Sequence, residues 1–200
     1  MTRRHLVLFA RLPALGTGKR RLARDIGDVA AARFERQMLL VMMRRLGRDR
    51  RWHARLALTP DRRHHRLRDR PRRLVVTGQG AGDLGTRMRH ALLACPPGPA
   101  VLVGSDIPAL AADHIAAAFR LLGRHHLVLG PAEDGGFWLI GARRSPGPLP
   151  PFGRVRWSGT HALADLLANL PRRLSVGFAT GLDDVDDGPA FRRLAPRRGF

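Results

Sequence analysis

Of the 36 Lys and Arg residues in this chain only one, Lys19, is a lysine, and it stands in a glycine-rich loop straight after the first apolar run. The loop reads RLPALGTGKRRLA, with Gly16 and Gly18 before Lys19 and with Arg20 and Arg21 after it. A compact ammonium acts as a point charge on phosphate, a task for which the planar guanidinium is a different tool. The loop is neither of the common phosphate motifs. Pro13 and Arg20 stand where a Walker A loop has its first Gly and its Ser/Thr, and Arg21 replaces the third Gly of G-x-G-x-x-G. Backbone N–H groups, one Lys and two Arg opening towards a helix are nevertheless the elements of a diphosphate cradle.

The acids are concentrated where the bases are spread. Half of the 16 Asp and Glu fall in four short stretches beside Gly or Pro. In VLVGSDIPAL, Ser105 and Asp106 follow an apolar run and Pro108 stiffens the backbone. A carboxylate fixed at a strand end suits a divalent cation that bridges to phosphate oxygens. The competing reading, Asp106 as cap of the next helix, is weakened by the Pro and the apolar residues in between. GPAEDGGFWLIG sets Glu133 and Asp134 before Gly135 and Gly136, which would let a substrate approach the backbone; a plain turn would also use Asp-Gly-Gly. Asp83, in QGAGDLGTRM, is placed either to cap a helix or to bind a ribose or base. In GLDDVDDGPAF, Asp183, Asp184, Asp186 and Asp187 repel one another unless a cation or nearby Arg neutralises them.

Strand-like runs alternate with helical ones, and these must position the residues above. Strands are expected at His5–Ala10, His53–Thr59, Leu74–Gly78, Ala100–Gly104, Leu127–Gly130, Phe137–Ala142 and Leu174–Ala179. Helices are expected at Asp28–Arg45 with Asp28 as N-cap, and at Leu84–Ala94, Ala111–Leu122 and His161–Leu170. The Pro/Gly-rich piece from Ser145 to Gly153 reads as a mobile loop, and the tail from Pro196 as frayed. This alternation predicts one α/β domain over residues 1–200, with a mostly parallel central sheet and helices on both faces. Ligands in such sheets lie beyond the carboxyl ends of the strands, so the loops of Lys19, of Ser105 and Asp106, and of Glu133 and Asp134 should converge on one edge.

Composition narrows the partners. The formal charge of +20 suggests an anionic partner, but Arg is scattered along the chain. Aromatics are few (Tyr 0, Phe 8, Trp 3), which leaves little to stack on bases, so nucleic acid is not the expected partner. The densest basic patch, residues 48–73, could attract an acidic partner. No apolar run approaches the ~18–20 residues of a membrane span, and the N-terminal apolar stretch is too short for a signal peptide. A single Cys, Cys95, excludes an internal disulfide and points to the cytoplasm.

Taken in order, LFARLPALGTGKRRLA, GQGAGDLGTRM, VLVGSDIPAL, LGPAEDGGFWLIG, VRWSGTHAL and DDVDD resemble the GT-A-type glycosyltransferase-like family of bacterial proteins. That family is associated with radical-SAM and selenoprotein domains and related to 2-phospho-L-lactate guanylyltransferase. The resemblance spans about residues 5–195. It implies a nucleotide-diphospho-sugar transferase (GT-A, Rossmann-like) fold, Lys19 and Arg21 on the nucleotide phosphates, and Asp106 as a Mg2+ or Mn2+ ligand. Asp184 and Asp186 match the late D-V-D block and would complete the metal site. The block then departs from its usual Thr-Pro-Glu-Asp continuation, reading Asp187-Gly188-Pro189-Ala190. The expected activity is metal-dependent sugar transfer from a nucleotide-diphospho-sugar to a small-molecule acceptor, with Glu133 or Asp134 orienting the acceptor or serving as base. The alternatives are nucleotidyl transfer from an NTP with pyrophosphate release, and a non-catalytic nucleotide or polyanion binder.

Overall fold

The computed structural model describes residues 3–61, 67, 70–144 and 149–194. The first part of the expected 145–153 loop, the tail from residue 196 and several positions of the 48–73 patch lie outside the described residues. In chain order the elements are β1 (His5–Arg11), α1 (Arg20–Ile26), α2 (Asp28–Gly47), β2 (His53–Thr59), β3 (Val75–Gly78), α3 (Leu84–Leu93) and β4 (Ala100–Gly104). There follow α4 (Ala112–Leu121), β5 (Leu127–Pro131), β6 (Phe137–Ala142), α5 (Ala162–Asn169), β7 (Val176–Phe178) and α6 (Gly188–Arg192).

The strands form one seven-stranded sheet in the order β3-β2-β1-β4-β6-β5-β7. Every pairing is parallel except those of β6 with β4 and β5. The expected α/β architecture is therefore present, with β6 inserted against the grain. Period-two alternation explains how the apolar runs serve two cores. Leu6, Leu8 and Ala10 of β1 join Val101 and Val103 of β4 under α2 and α4, where Met38, Met42, Met43, Ile115 and Phe119 are buried. Val7, Ala100 and Leu102 face the other way, onto Met88 and Leu92 of α3 and Leu166 of α5. Helices thus cover both faces.

The chain runs outward from β1 to β3 and then returns to place β4 on the other side of β1. That reversal opens a crevice at the carboxyl ends of β1 and β4. Since β5 and β7 run with β4, their carboxyl ends and the start of β6 share the same edge.

Two local expectations change. Helix α1, a separate short helix after Lys19, was not expected. Its end at Gly27 (φ 85°) turns the chain directly into α2, so Gly27 and not Asp28 is the N-cap of α2. Asp28 sits in the first helical turn, where a carboxylate still favours the helix dipole. Leu22, Ala31, Val185 and Ala190 form a third, small core that ties α1, α2 and α6 to the segment after β7.

Candidate functional site

A cleft of about 620 Å³ opens at the carboxyl edge of the sheet, lined by Lys19, Arg20, Arg21, Asp106, Asp134, Gly136, Asp184 and Asp186, with Phe137, Trp138 and Trp157 among its apolar walls. The loops after β1, β4 and β5 do converge, and the segment after β7 joins them.

At its centre lies one ammonium among three carboxylates. Lys19 Nζ is 2.6 Å from Asp106 Oδ2 and 3.4 Å from Asp184 Oδ2, and it also donates to Asp186 Oδ1. One oxygen from each carboxylate lies within 4.8 Å of the others. Burial alone would lower the Lys19 pKa, but the charges of Asp106, Asp186 and Asp184 outweigh it and hold the ammonium above its ordinary range. Burial pushes the Asp184 carboxyl up to about 7 against the pull of Lys19, with Asp106 and Asp186 adding repulsion. Burial would raise Asp186 as well, but the contact with Lys19 prevails and holds it below the usual carboxylate range.

The late acidic run is divided by the core. Val185 is buried against Leu22 and Ala31, and its N–H donates to the Asp106 carbonyl at 3.1 Å. Its neighbours Asp184 and Asp186 line the cleft. The outer pair serves the backbone. Asp183 accepts from the Glu133 N–H, and Asp187 caps α6 by accepting from the Ala190 N–H. Gly188 N–H donates to Asp25 of α1, fastening this segment to the helix that begins beside Lys19.

Three carboxylates around one ammonium leave an excess of negative charge, and the donor atoms are all oxygen. That set fits a hard divalent cation such as Mg2+ or Mn2+, with Asp106, Asp184 and Asp186 as its holders.

Other expected residues are distributed less centrally. Asp83 caps α3, accepting from the Thr86 N–H at 2.7 Å and from Trp157 Nε1 at 3.3 Å, and is not among the residues lining the main cleft. Glu133 is exposed and absent from the cleft wall; Asp134 is on it, although its Oδ1 accepts from the Gly136 N–H in a turn. The close approach expected at Gly135 exists within the chain itself: φ is 80° and an added Cβ would collide with the Thr160 carbonyl. Ser105 lines a neighbouring recess of about 410 Å³ beside Lys19 and Asp106. Gly16 (φ 70°) and Gly18 border a separate hollow of about 400 Å³ between the loop and α2.

Sequence reasoning did not single out Glu35, Gln79 or Trp157. Glu35 Oε1 accepts from the Lys19 backbone N–H at 2.6 Å, so that donor of the expected phosphate cradle is already engaged. Gln79, 1% exposed, donates its amide to the carbonyls of Ala10 and Ala57 and so ties the ends of β1 and β2 together. Trp157 stands in the VRWSGTHAL block, where an aromatic among Ser and Gly is a usable signal. Glu35, inside an Arg-rich helix, offers none.

A profile of the bacterial family described as "uncharacterized protein conserved in bacteria" (DUF2064) matches residues 42–159, more than half of the chain. No curated protein sequence matches it. Among solved structures, a protein of Desulfovibrio desulfuricans G20 provisionally named a nucleotide-diphospho-sugar transferase is 27% identical. The match covers 94% of this chain and 84% of that one, with a TM-score of 0.83. The 4-diphosphocytidyl-2C-methyl-D-erythritol synthase of Anaerococcus prevotii DSM 20548 is 10% identical over 96% and 97% of the two chains, with a TM-score of 0.60. Rv0371c of Mycobacterium tuberculosis H37Rv, solved in complex with manganese, is 21% identical over 96% and 98%, with a TM-score of 0.53. The last two likenesses are of fold.

Proposed function

The chain belongs to the DUF2064 family, and from that premise we propose that it is a divalent-metal-dependent transferase acting at the phosphates of a nucleotide. The observation that carries this is the meeting of Lys19 with Asp106, Asp184 and Asp186 at the crevice of the sheet. Mg2+ or Mn2+ held by those carboxylates would polarise a phosphoryl oxygen. The other contributions come from the chain. Lys19, Arg20 and Arg21 neutralise charge on the departing phosphates, where most transition-state stabilisation is available. Trp157 and Phe137 wall the cleft against water. Asp134, on the cleft wall away from the three carboxylates around Lys19, would orient an acceptor or take its proton.

Three consecutive cations on one wall favour nucleotidyl transfer. A nucleoside triphosphate carries more negative charge than a nucleotide-diphospho-sugar, and its pyrophosphate leaves as a concentrated anion. Sugar transfer is the second reading, favoured by the 27% likeness to the Desulfovibrio protein.

Thermal unfolding with NTPs and with nucleotide-diphospho-sugars, with and without Mg2+, tests both. Under the first reading an NTP stabilises the protein only with metal, and Asp106→Asn abolishes the gain; binding at a hundredfold excess over Kd is worth about 2.7 kcal/mol. Stabilisation by a nucleotide-diphospho-sugar alone would move the assignment to sugar transfer. Metal-independent stabilisation that survives Asp106→Asn would identify a non-catalytic binder and defeat both.

A further inference from the structure

We infer that Glu35 is a positioning residue of this site: it fixes the backbone at Lys19 so that the one lysine ammonium of the chain reaches Asp106, Asp184 and Asp186. Glu35 lies in α2, with exposed Arg33 and Arg36 close by in sequence, yet its Oε1 accepts from the Lys19 N–H at 2.6 Å. The Lys19 carbonyl is held too, accepting from the Ala23 N–H at 2.8 Å as α1 begins. With both main-chain groups engaged, the Cα–Cβ direction of Lys19 is fixed, and only its side-chain torsions remain to bring the ammonium onto the carboxylates. The carboxylate takes the space beside Gly18: a Cβ there would collide with both oxygens of Glu35. The charge of Glu35 opposes an incoming phosphate, so its contribution must be geometric.

Only the use made of Lys19 on phosphate rests on the function proposed above; the placement of Lys19 does not. The chain's composition supplies the probe. Labelling with 15N-lysine gives a single backbone amide resonance, that of Lys19. Its hydrogen exchange would be measured in the wild type, Glu35→Ala, Glu35→Gln and Gly18→Ala, beside calorimetric binding of magnesium pyrophosphate and the Tm of each variant. Glu35→Ala is expected to speed Lys19 amide exchange about tenfold or more and to weaken pyrophosphate binding severalfold. Gly18→Ala should do the same by displacing the Glu35 carboxylate, and it carries the comparison if Glu35→Ala does not fold. Glu35→Gln, which keeps an acceptor oxygen, should retain most of both properties. Unchanged Lys19 exchange in Glu35→Ala overturns the inference, and so does a Glu35→Gln as impaired as Glu35→Ala, since charge would then be the cause. If exchange responds as expected but the wild type binds no magnesium pyrophosphate, the phosphate reading fails while the positioning role stands.

Discussion

Replacing Lys19 by Met removes the one cation held among the three carboxylates, and the cost can be worked from their spacing. The carboxylate oxygens lie within 4.8 Å of one another. At an effective dielectric of about 20, the attraction lost with the ammonium is about 6 kcal/mol for Asp106 at 2.6 Å and about 5 kcal/mol for Asp184 at 3.4 Å, before desolvation and relaxation, and the repulsion among the carboxylates is left unopposed. Three effects reduce this. Lys19 is only 12% exposed, so burying its charge already offsets much of the attraction, and Asp106, Asp184 and Asp186 are 31%, 30% and 48% exposed, so water screens the rest. Asp184, already pushed to about 7, can also take up a proton. The expected net loss is about 2 kcal/mol in EDTA at mildly alkaline pH, below the ~3–5 kcal/mol of a fully buried pair broken on one side. Mn2+ should restore that stability, and it should bind Lys19→Met more tightly than the wild type, because no ammonium has to leave the oxygens. Urea unfolding with EDTA or Mn2+, together with calorimetric Mn2+ titration, reads both effects. A Lys19→Met protein as stable as the wild type in EDTA, and no tighter for Mn2+, would refute the electrostatic reasoning.

Three further perturbations separate structural from chemical roles. Gln79→Leu strips the Ala10 and Ala57 carbonyls of their shared donor and should cost about 2–3 kcal/mol in urea unfolding; a loss within error would show that these strand ends are satisfied otherwise. Gly135→Ala must place a Cβ against the Thr160 carbonyl at a φ of 80°, and should lower stability by about 1–3 kcal/mol; an unchanged melting curve would mean that the turn rebuilds freely. Burial holds the His5 pKa below its ordinary value of 6.5, helped by His53, Arg144 and Arg55. The folded protein therefore binds fewer protons there than the unfolded chain. The His5 contribution is fully present above about pH 6.5 and is lost as pH falls below it. His5→Phe should flatten that part of the stability–pH profile, and an identical slope in the variant would remove His5 as its source.

The central strands were legible because β1 and β4 are covered on both faces, which writes them as unbroken apolar runs, LVLFA and AVLVG. Lys19 and Asp106 were legible for a related reason. Each stands in the loop that follows such a run, and parallel α/β connectivity sends both loops to the same edge. The reversed direction of β6 was not legible, because a short apolar strand reads the same either way. Nor could composition sort the run Asp183-Asp184-Val185-Asp186-Asp187. Burying Val185 against Leu22 and Ala31 sends Asp184 and Asp186 into the cleft and leaves Asp183 and Asp187 to bond backbone N–H groups. Gly135 was marked as special by sequence, but what approaches it, the Thr160 carbonyl, is fixed only by folding. Glu35 is the clearest case. By sequence it is one acid on a charged helix, and it gains its place only when α1 and α2 fold back under the loop. The sequence by itself determined the strands and helices, the alternation that implies a mostly parallel sheet and the residue types its loops carry, because these follow from local pattern. Which carboxylate meets the ammonium, and which meets a backbone N–H, was decided by tertiary structure, because those contacts join residues up to 167 positions apart.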